Sequence, residues 1–381
     1  METVLWVLGI LAALSHAIVL WQWVAARRFQ LHQRTPNGAL IRPRPISVLK
    51  PLKGANALTR DCLESWLTQE TGAPLQILFG VDSPSDPVCD LVRQFNSLFP
   101  HVDASLVVCS ENRDANPMVS KLIQLARHAK HDVLVIADAD VKIPQRFLPE
   151  FTGHLENPGV GLVNSFYEIT NKSSLPGKLE AVAINGDFWS QVLQSNQLKP
   201  MHFALGAVIG IQKSTVQRVG GFEAVANFLP DDYQLGHRVA KLNLEVRLCP
   251  IVVECLEPAC SWRRLIARQL RWAKTVRTSE PVPYFFSIIG NGTLRPLLWM
   301  SLARSAPVTW FSVYLCLSRS WIALNLQERL TRKTISLGQA WLVPLRDLMG
   351  VLIGMASFAE SKVTWHGVGC RVGAGGKLSR A

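Results

Sequence analysis

Charge is scarce in this chain. Asp, Glu, Lys and Arg make up 18% of its 381 residues, while apolar types reach 48%. A soluble domain usually carries about 25% charged residues, so the composition points toward a membrane protein. No Cys-X-X-Cys pair occurs among the eight cysteines, and none has a nearby His at finger spacing. That excludes a zinc finger and a disulfide framework, and leaves scattered, reduced, buried thiols facing the cytosol as the expectation. No Gly-X-Gly-X-X-Gly follows the first apolar strand and no phosphate-loop lysine motif occurs, which argues against a dinucleotide fold or a P-loop. The net charge of +12 is not gathered into basic runs interleaved with aromatics, so nucleic acid is not an expected partner. An anionic membrane face and an anionic substrate account for it instead.

What the chain does have is a set of long apolar segments and twelve Trp, a composition suited to interfacial anchoring. Residues 3–26 (TVLWVLGILAALSHAIVLWQWVAA) contain no charged side chain. As a helix they reach about 36 Å, enough to cross a hydrocarbon core of about 30 Å. The run is too long for a signal peptide and no basic segment precedes it. Arg27, Arg28, Arg34, Arg42 and Arg44 follow, which predicts a cytosolic location for the next domain. Three more apolar segments lie at 283–302, 306–326 and 337–358, interrupted by Arg295, Arg304, Arg319, Arg346 and Asp347. Spans are expected for the first two; 341–358 could span or lie in the interface. The predicted organisation is an anchor at 1–28, a cytosolic domain at 45–280, membrane-associated helices at 281–360, and a basic, Gly-rich tail at 361–381 without a core of its own. The sequons Asn171-Lys-Ser173 and Asn291-Gly-Thr293 carry no meaning on the cytosolic side.

Between the apolar ends, strand-like and helix-like segments alternate. Strands are predicted at 46–49, 76–81, 104–109, 131–141, 159–166, 204–212 and 246–253, with helices at 58–70, 87–98, 116–130, 179–193 and 261–278. This is the pattern of an α/β domain with a mostly parallel sheet. Open sheets of this kind bind ligands at the carboxyl ends of their strands. The segment 131–141 (HDVLVIADADV) ends in Asp138 and Asp140, and two carboxylates separated by one small residue can share a divalent cation with a phosphate. Alternatively they only terminate the strand. Asp82 and Asp86 follow the second strand. Asp231-Asp232-Tyr233 opens a helix, where Asp231 reads as a cap. The helix at 261–278 carries Arg268-Gln-Leu-Arg271-Trp272, which could also be a basic face lying on anionic lipid.

In this order and spacing the chain resembles the GT-A fold inverting glycosyltransferases of families 2 and 21, with their D, DxD, (E/D)D and (Q/R)xxRW series. It is most similar to the ceramide glucosyltransferase-like group, including hopanoid-associated bacterial members. Val48-Leu-Lys-Pro-Leu-Lys-Gly54 and Asp86-Pro87 add to the likeness. The resemblance implies that Asp86 belongs to the nucleotide pocket and that Asp138 and Asp140 handle the diphosphate and a Mg²⁺ or Mn²⁺ ion. It further implies Asp232 as the catalytic base, with Arg268, Arg271 and Trp272 closing on donor and acceptor. The implied partners are a UDP-sugar, glucose before N-acetylglucosamine, and a membrane lipid, either a ceramide-like sphingolipid or a hopanoid. The implied location is a bacterial inner membrane. A processive polysaccharide synthase and a non-catalytic membrane scaffold are the alternatives. Two positions depart from the family pattern: Met118 stands where a Lys is usual, with Lys121 one turn later, and Asp82 and Ser83 stand where Gln and Asp are usual.

Overall fold

A computed structural model describes residues 2–34, 42–111, 114–170, 173–359, 362–365 and 368–380. Four short apolar segments, β1 (Ile46–Pro51), β2 (Leu75–Val81), β3 (Asp103–Val108) and β4 (Val133–Ala137), pair in parallel. They are joined by the amphipathic helices α2 (Thr59–Leu67), α3 (Val88–Leu98) and α4 (Pro117–His128). A two-residue strand β5 (Val141–Lys142), helix α5 (Phe147–Gly153) and strand β6 (Val160–Ile169) follow. Next come α6 (Leu175–Ala181), a π-helical stretch Val182–Phe188, α7 (Trp189–Leu198), β7 (Val208–Gln212), α8 (Lys213–Arg218), α9 (Asp231–Lys241) and β8 (Glu245–Cys255).

The eight strands form one mixed sheet in the order β3-β2-β1-β4-β7-β6-β8-β5. Parallel pairing holds β3 through β4 and joins β6 to β8, while β7 and β5 run against their neighbours. The expected α/β domain with a mostly parallel sheet is therefore present. All six residues of β1 are buried, as a central strand covered on both faces requires. The sheet separates two apolar cores, one containing Leu49, Leu78 and Ile136 and the other Val48, Ile77 and Val135. Successive residues of one strand thus feed opposite sides.

The strand expected at 131–141 stops at Ala137. Asp138 N–H donates to Ala207 O (3.2 Å) and Val141 N–H returns to Asp138 O (3.3 Å), which closes a turn. The Asp-Ala-Asp tripeptide therefore sits between β4 and β5, where its side chains are not confined by a ladder. The predicted strand at 204–212 begins only at Val208.

After β8 come α10 (Trp262–Ser279), α11 (Pro281–Ile289), α12 (Leu294–Ala303), α13 (Ala306–Thr331) and α14 (Leu342–Ala359). The span expected at 283–302 is not one helix. Asn291 Oδ1 accepts from Thr293 N–H (3.1 Å) and Leu294 N–H (2.8 Å), starting a new helix and breaking the segment into pieces of 9 and 10 residues. Each reaches about 15 Å, half of a bilayer core. The segment at 306–326 is a single helix, but Arg319 in its middle is buried and paired with Asp187 (2.9 Å) and Asp347 (2.9 Å). Among the described residues, two helices are long and apolar enough to cross a membrane: α1 (Glu2–Arg28) and the stretch Leu337–Ala359, the one that the sequence left open. α1 lies against α7 and α13, with Trp21 Nε1 bonded to Gln197 (2.7 Å) and Trp23 Nε1 to Asn325 (2.8 Å). Trp6, Val7 and Ile10 near its start are exposed.

The tail also departs from expectation. β9 (Lys362–Trp365), β10 (Val368–Val372) and β11 (Leu378–Arg380) form a small antiparallel sheet. Val363, Cys370, Val372 and Leu378 bury a satellite core with Leu229. The alternating apolar residues in 363–378 carried this signal, which the glycines around them obscured.

Candidate active site

The β4–β5 turn is held from below by Lys50. This lysine is fully buried, donates to Asp138 O, and stands 4.8 Å over the Trp66 ring. Burial pulls its pKa down to about 8, opposed by the nearby Cys62 thiol and the Asp138 and Asp140 carboxylates. Asp140 O accepts from Leu256 N–H (2.9 Å), which ties the turn to the end of β8. Burial raises the Asp138 carboxyl well above the usual range, and Asp140, Asp231 and Asp232 add to this by repulsion. Burial also raises Asp140, with Glu257 as its acidic neighbour.

The second acidic pair opens α9. Asp231 Oδ1 accepts from Asn116 Nδ2 (3.2 Å), and the Asn116 side-chain oxygen in turn caps α4 through Met118 N–H (3.0 Å). Asn116 is completely buried, so one side chain fixes the starts of two helices. Asp231 is more than a cap: burial and Asp232 push its carboxyl up to about 7. Asp232 Oδ1 accepts from Tyr233 N–H (2.7 Å). Burial raises its carboxyl too, moderated by backbone hydrogen bonds. A Cβ at Gly206 would stand 2.9 Å from Asp232 Oδ2, so the glycine is what lets β7's approach run past the carboxylate. The Asn-Pro helix start was visible in the sequence; the roles of Gly206 and Lys50 were not.

α10 supplies the cations. Ser261 Oγ caps it by accepting from Arg264 N–H (3.3 Å). Arg271 faces the acidic groups, and its pKa falls to about 10 through burial and the neighbouring Arg268. Arg268 forms short ion pairs with Glu180 and Glu257, and its guanidinium lies 5.8 Å from the Trp272 ring centroid.

One cavity of about 220 Å³ brings Asp138, Asp231, Asp232, Arg271 and Trp272 together. Of the residues predicted for the site, Asp140 and Arg268 stand outside this wall. Asp140 faces Lys50 and Glu257, and Arg268 braces Trp272 from behind. Asp86 is also elsewhere. Its two oxygens accept from Gly54 N–H (3.0 Å each) and Oδ1 accepts from Val88 N–H (3.0 Å), so it shapes the loop after β1 and starts α3. Met118 lines the cavity, and Lys121 is committed to Asp82 (3.0 Å) and Leu52 O (2.8 Å). The usual lysine is therefore not replaced from one turn away.

Asp138, Asp140, Asp231, Asp232 and Glu257 outnumber Lys50, Arg268 and Arg271 in this region. Burial is the main cause of the raised Asp138, Asp140 and Asp231 carboxyls, and repulsion among the acids adds to it. Among the described residues no three His, Cys, Asp or Glu side chains form a ready-made cage. Asp138 and Asp140, two residues apart on the β4–β5 turn, are oxygen donors of the kind a divalent cation takes, and its other ligands would come from outside this pair.

A model of glycosyl transferase family 21 matches residues 4–378. The chain belongs to this family. It is 31% identical over 107 residues to a ceramide glucosyltransferase of Candida albicans, covering 25% of this chain and 20% of that one. It is 18% identical over 248 residues to ceramide glucosyltransferase 3 of Caenorhabditis elegans, covering 65% and 53%. The chain thus spans about half or less of the length of these curated relatives. The mannosyltransferase PcManGT from Pyrobaculum calidifontis, solved with GDP-Man and Mn²⁺, superposes with a TM-score of 0.52 at 18% identity. That alignment covers 93% of this chain and 97% of the other, and establishes the GT-A fold.

Proposed function

We propose that this family 21 member moves a single sugar from a UDP-sugar, glucose first and N-acetylglucosamine next, to a hydroxyl of a ceramide-like or hopanoid lipid, with inversion. The observation that carries this reading is the shared cavity of Asp138, Asp232, Arg271 and Trp272. Asp232 takes the acceptor proton while the freed oxygen attacks the anomeric carbon and the bond to the nucleoside diphosphate breaks, so the diphosphate leaves with the electron pair. Its position at a helix start, held by Tyr233 N–H, fixes the carboxylate before the acceptor arrives. The elevated pKa makes the ionised form a stronger base than an ordinary aspartate.

Arg271 offers its guanidinium to the departing diphosphate, and Trp272 offers a ring face to sugar or nucleotide. Asp138 and Asp140 would hold the Mg²⁺ or Mn²⁺, which supplies charge neutralisation for that leaving group. Asp86 orders the Gly54 loop that borders the nucleotide, and Arg268 completes the donor side by holding Trp272 in place. The catalytic face lies in the cytoplasm, with α1 and Leu337–Ala359 in the bacterial inner membrane, where the lipid acceptor resides. Membranes containing the chain are expected to convert one UDP-sugar to UDP and a monoglycosylated lipid. Retention of full turnover by Asp232→Asn would remove the assignment of the base.

A further inference from the structure

We propose that Glu280 is a positioning residue that holds Asp232 in register with the cations of α10, acting through Tyr233 and His202. This inference rests on the reading of Asp232 as the base and adds a residue to that site. Glu280 lies between two helices: its N–H donates to Val276 O (2.7 Å) at the end of α10, and its carbonyl accepts from Tyr284 N–H (3.0 Å) in α11. Its side chain leaves both of them. Oε1 accepts from the Tyr233 hydroxyl on α9 (2.7 Å) and from His202 Nε2 (2.8 Å), on the segment that leads into β7. Three stretches of chain that are distant in sequence therefore meet on one carboxylate oxygen. Burial pushes the Glu280 carboxyl up, but the bonds from His202 and Tyr233 outweigh it and hold the group below its usual value, as an ionised acceptor.

The segments that Glu280 gathers are the ones that orient the base. Asp232 is held by two backbone donors: Tyr233 N–H reaches its Oδ1 (2.7 Å), and Gly206 supplies the other. The first donor belongs to the residue whose hydroxyl Glu280 holds, and the second follows His202 on the same short segment. The Tyr233 ring also stacks on Phe203 (centroids 6.1 Å apart, planes at 14°) and on His237 (5.8 Å, 13°). Stacking sets the tilt of the ring, while the hydroxyl bond fixes where the ring lies in its own plane. Hydrogen bonds to an ionised acceptor are about twice as strong as neutral ones, so the carboxylate is the firm point of this cluster. Arg271 and Trp272 lie on the same unbroken helix that Glu280 ends, about 13 Å back along its axis. One side chain thus sets the spacing between the base and the cations, a spacing on which rate depends steeply.

The test uses the full chain in lipid nanodiscs, given UDP-glucose or UDP-N-acetylglucosamine, whichever it consumes, with Mn²⁺ and a short-chain ceramide or a hopanoid. Glu280→Ala is expected to lower kcat by roughly ten- to hundredfold with donor KM held within about threefold, the pattern of misplaced reacting groups rather than lost donor binding. Tyr233→Phe keeps the ring, its stacking and the backbone N–H and removes only the hydroxyl, so it carries the test should Glu280→Ala fail to fold. It should lose kcat in the same way, and the double variant should be no slower than Glu280→Ala alone. Glu280→Gln, whose amide oxygen can still accept both bonds, should recover most of the rate. In hydrogen–deuterium exchange, peptides holding Gly206 and Tyr233 should take up deuterium faster in Glu280→Ala and Tyr233→Phe than in the wild-type chain. Unchanged kcat in both single variants, losses that multiply in the double variant, a loss confined to donor KM, a Glu280→Gln as slow as Glu280→Ala, or unchanged exchange would overturn the proposal. Exchange needs no turnover, so faster exchange in a protein that transfers no sugar would refute the transferase reading while leaving the tie in place. Conversely, normal transfer with unchanged kcat in both single variants would refute the tie while leaving the transferase.

Discussion

Asp231 and Asp232 are adjacent, half-buried and acidic, and loss of water around them raises both carboxyls. The Asp231 carboxyl is pushed up to about 7, against about 3.9 for a free aspartate. The unfolded chain releases this proton at lower pH than the native one, so the residue withdraws stability as pH rises from about 4 to about 7, with the full cost present above that range. Asp231→Asn is therefore predicted to stabilise the fold at pH 8 by on the order of 1 kcal/mol or more, read as a higher apparent Tm by thermal unfolding in detergent. The same variant should show a smaller gain at pH 5. Activity has the opposite trend, since Asp232 must be ionised to accept the acceptor's proton; the rate should climb as pH rises through the raised range of its carboxyl. Asp232→Asn should lower turnover by about 10² to 10⁴-fold with little change in donor KM, the usual contribution of a general base. Much of this was legible at the residue scale, because carboxylates at strand and helix ends are marked by their neighbours in sequence. The side chains that hold them were not. Lys50 follows the strand predicted at 46–49 yet is fully buried under the β4–β5 turn, and Lys121, one turn after Met118, is spent on Asp82.

At the level of elements, the carboxyl-terminal sheet has a larger part than its composition suggested. Leu229 N–H donates to Gly376 O (2.9 Å), Leu378 N–H to Asn227 O (2.7 Å), and Gln234 Nε2 to Gly375 O (2.8 Å). Gly376 is at φ 81°, and a Cβ there would stand 2.5 Å from Pro230, one residue before Asp231. The tail thus clamps the loop that delivers the acidic pair. Truncation before residue 362 is predicted to leave the sheet domain folded and to lower kcat by about tenfold or more, through looser placement of Asp232. Circular dichroism and donor titration separate this from unfolding. Arg268 acts similarly on α10: held by Glu180 and Glu257, it backs Trp272. Arg268→Lys is expected to weaken the donor and acceptor sides together, because a lysine cannot satisfy two carboxylates and a ring at once. Helix and strand identities followed from periodicity through most of the domain. The break at 290–293 did not, because a Gly-Asn-Gly stretch in an apolar run shows its effect only when the Asn291 side chain is seen accepting from Thr293 and Leu294 N–H.

Considered whole, the molecule places a nucleotide-sugar fold on helices that carry exposed apolar faces, with Trp272 at the junction. The ion network of Arg319, Arg346, Asp187 and Asp347 joins α13 and α14 to the π-helical stretch behind β6. Removing one member strands a buried charge, so Arg319→Met is predicted to destabilise by about 3–5 kcal/mol and to detach the helices from the domain, which limited proteolysis would register. This junction was invisible in sequence because Asp187 lies 132 residues before Arg319, its partner. The account as a whole is tested most directly by incubating membranes that contain the full chain, or its Asp232→Asn variant, with labelled UDP-sugars and a divalent cation, then weighing the lipid extract by mass spectrometry. The predicted result is one neutral lipid carrying a single added hexose or N-acetylhexosamine, formed by the wild-type chain and lost in the variant. A polymeric product, transfer that survives Asp232→Asn, or no product from any UDP-sugar would contradict it.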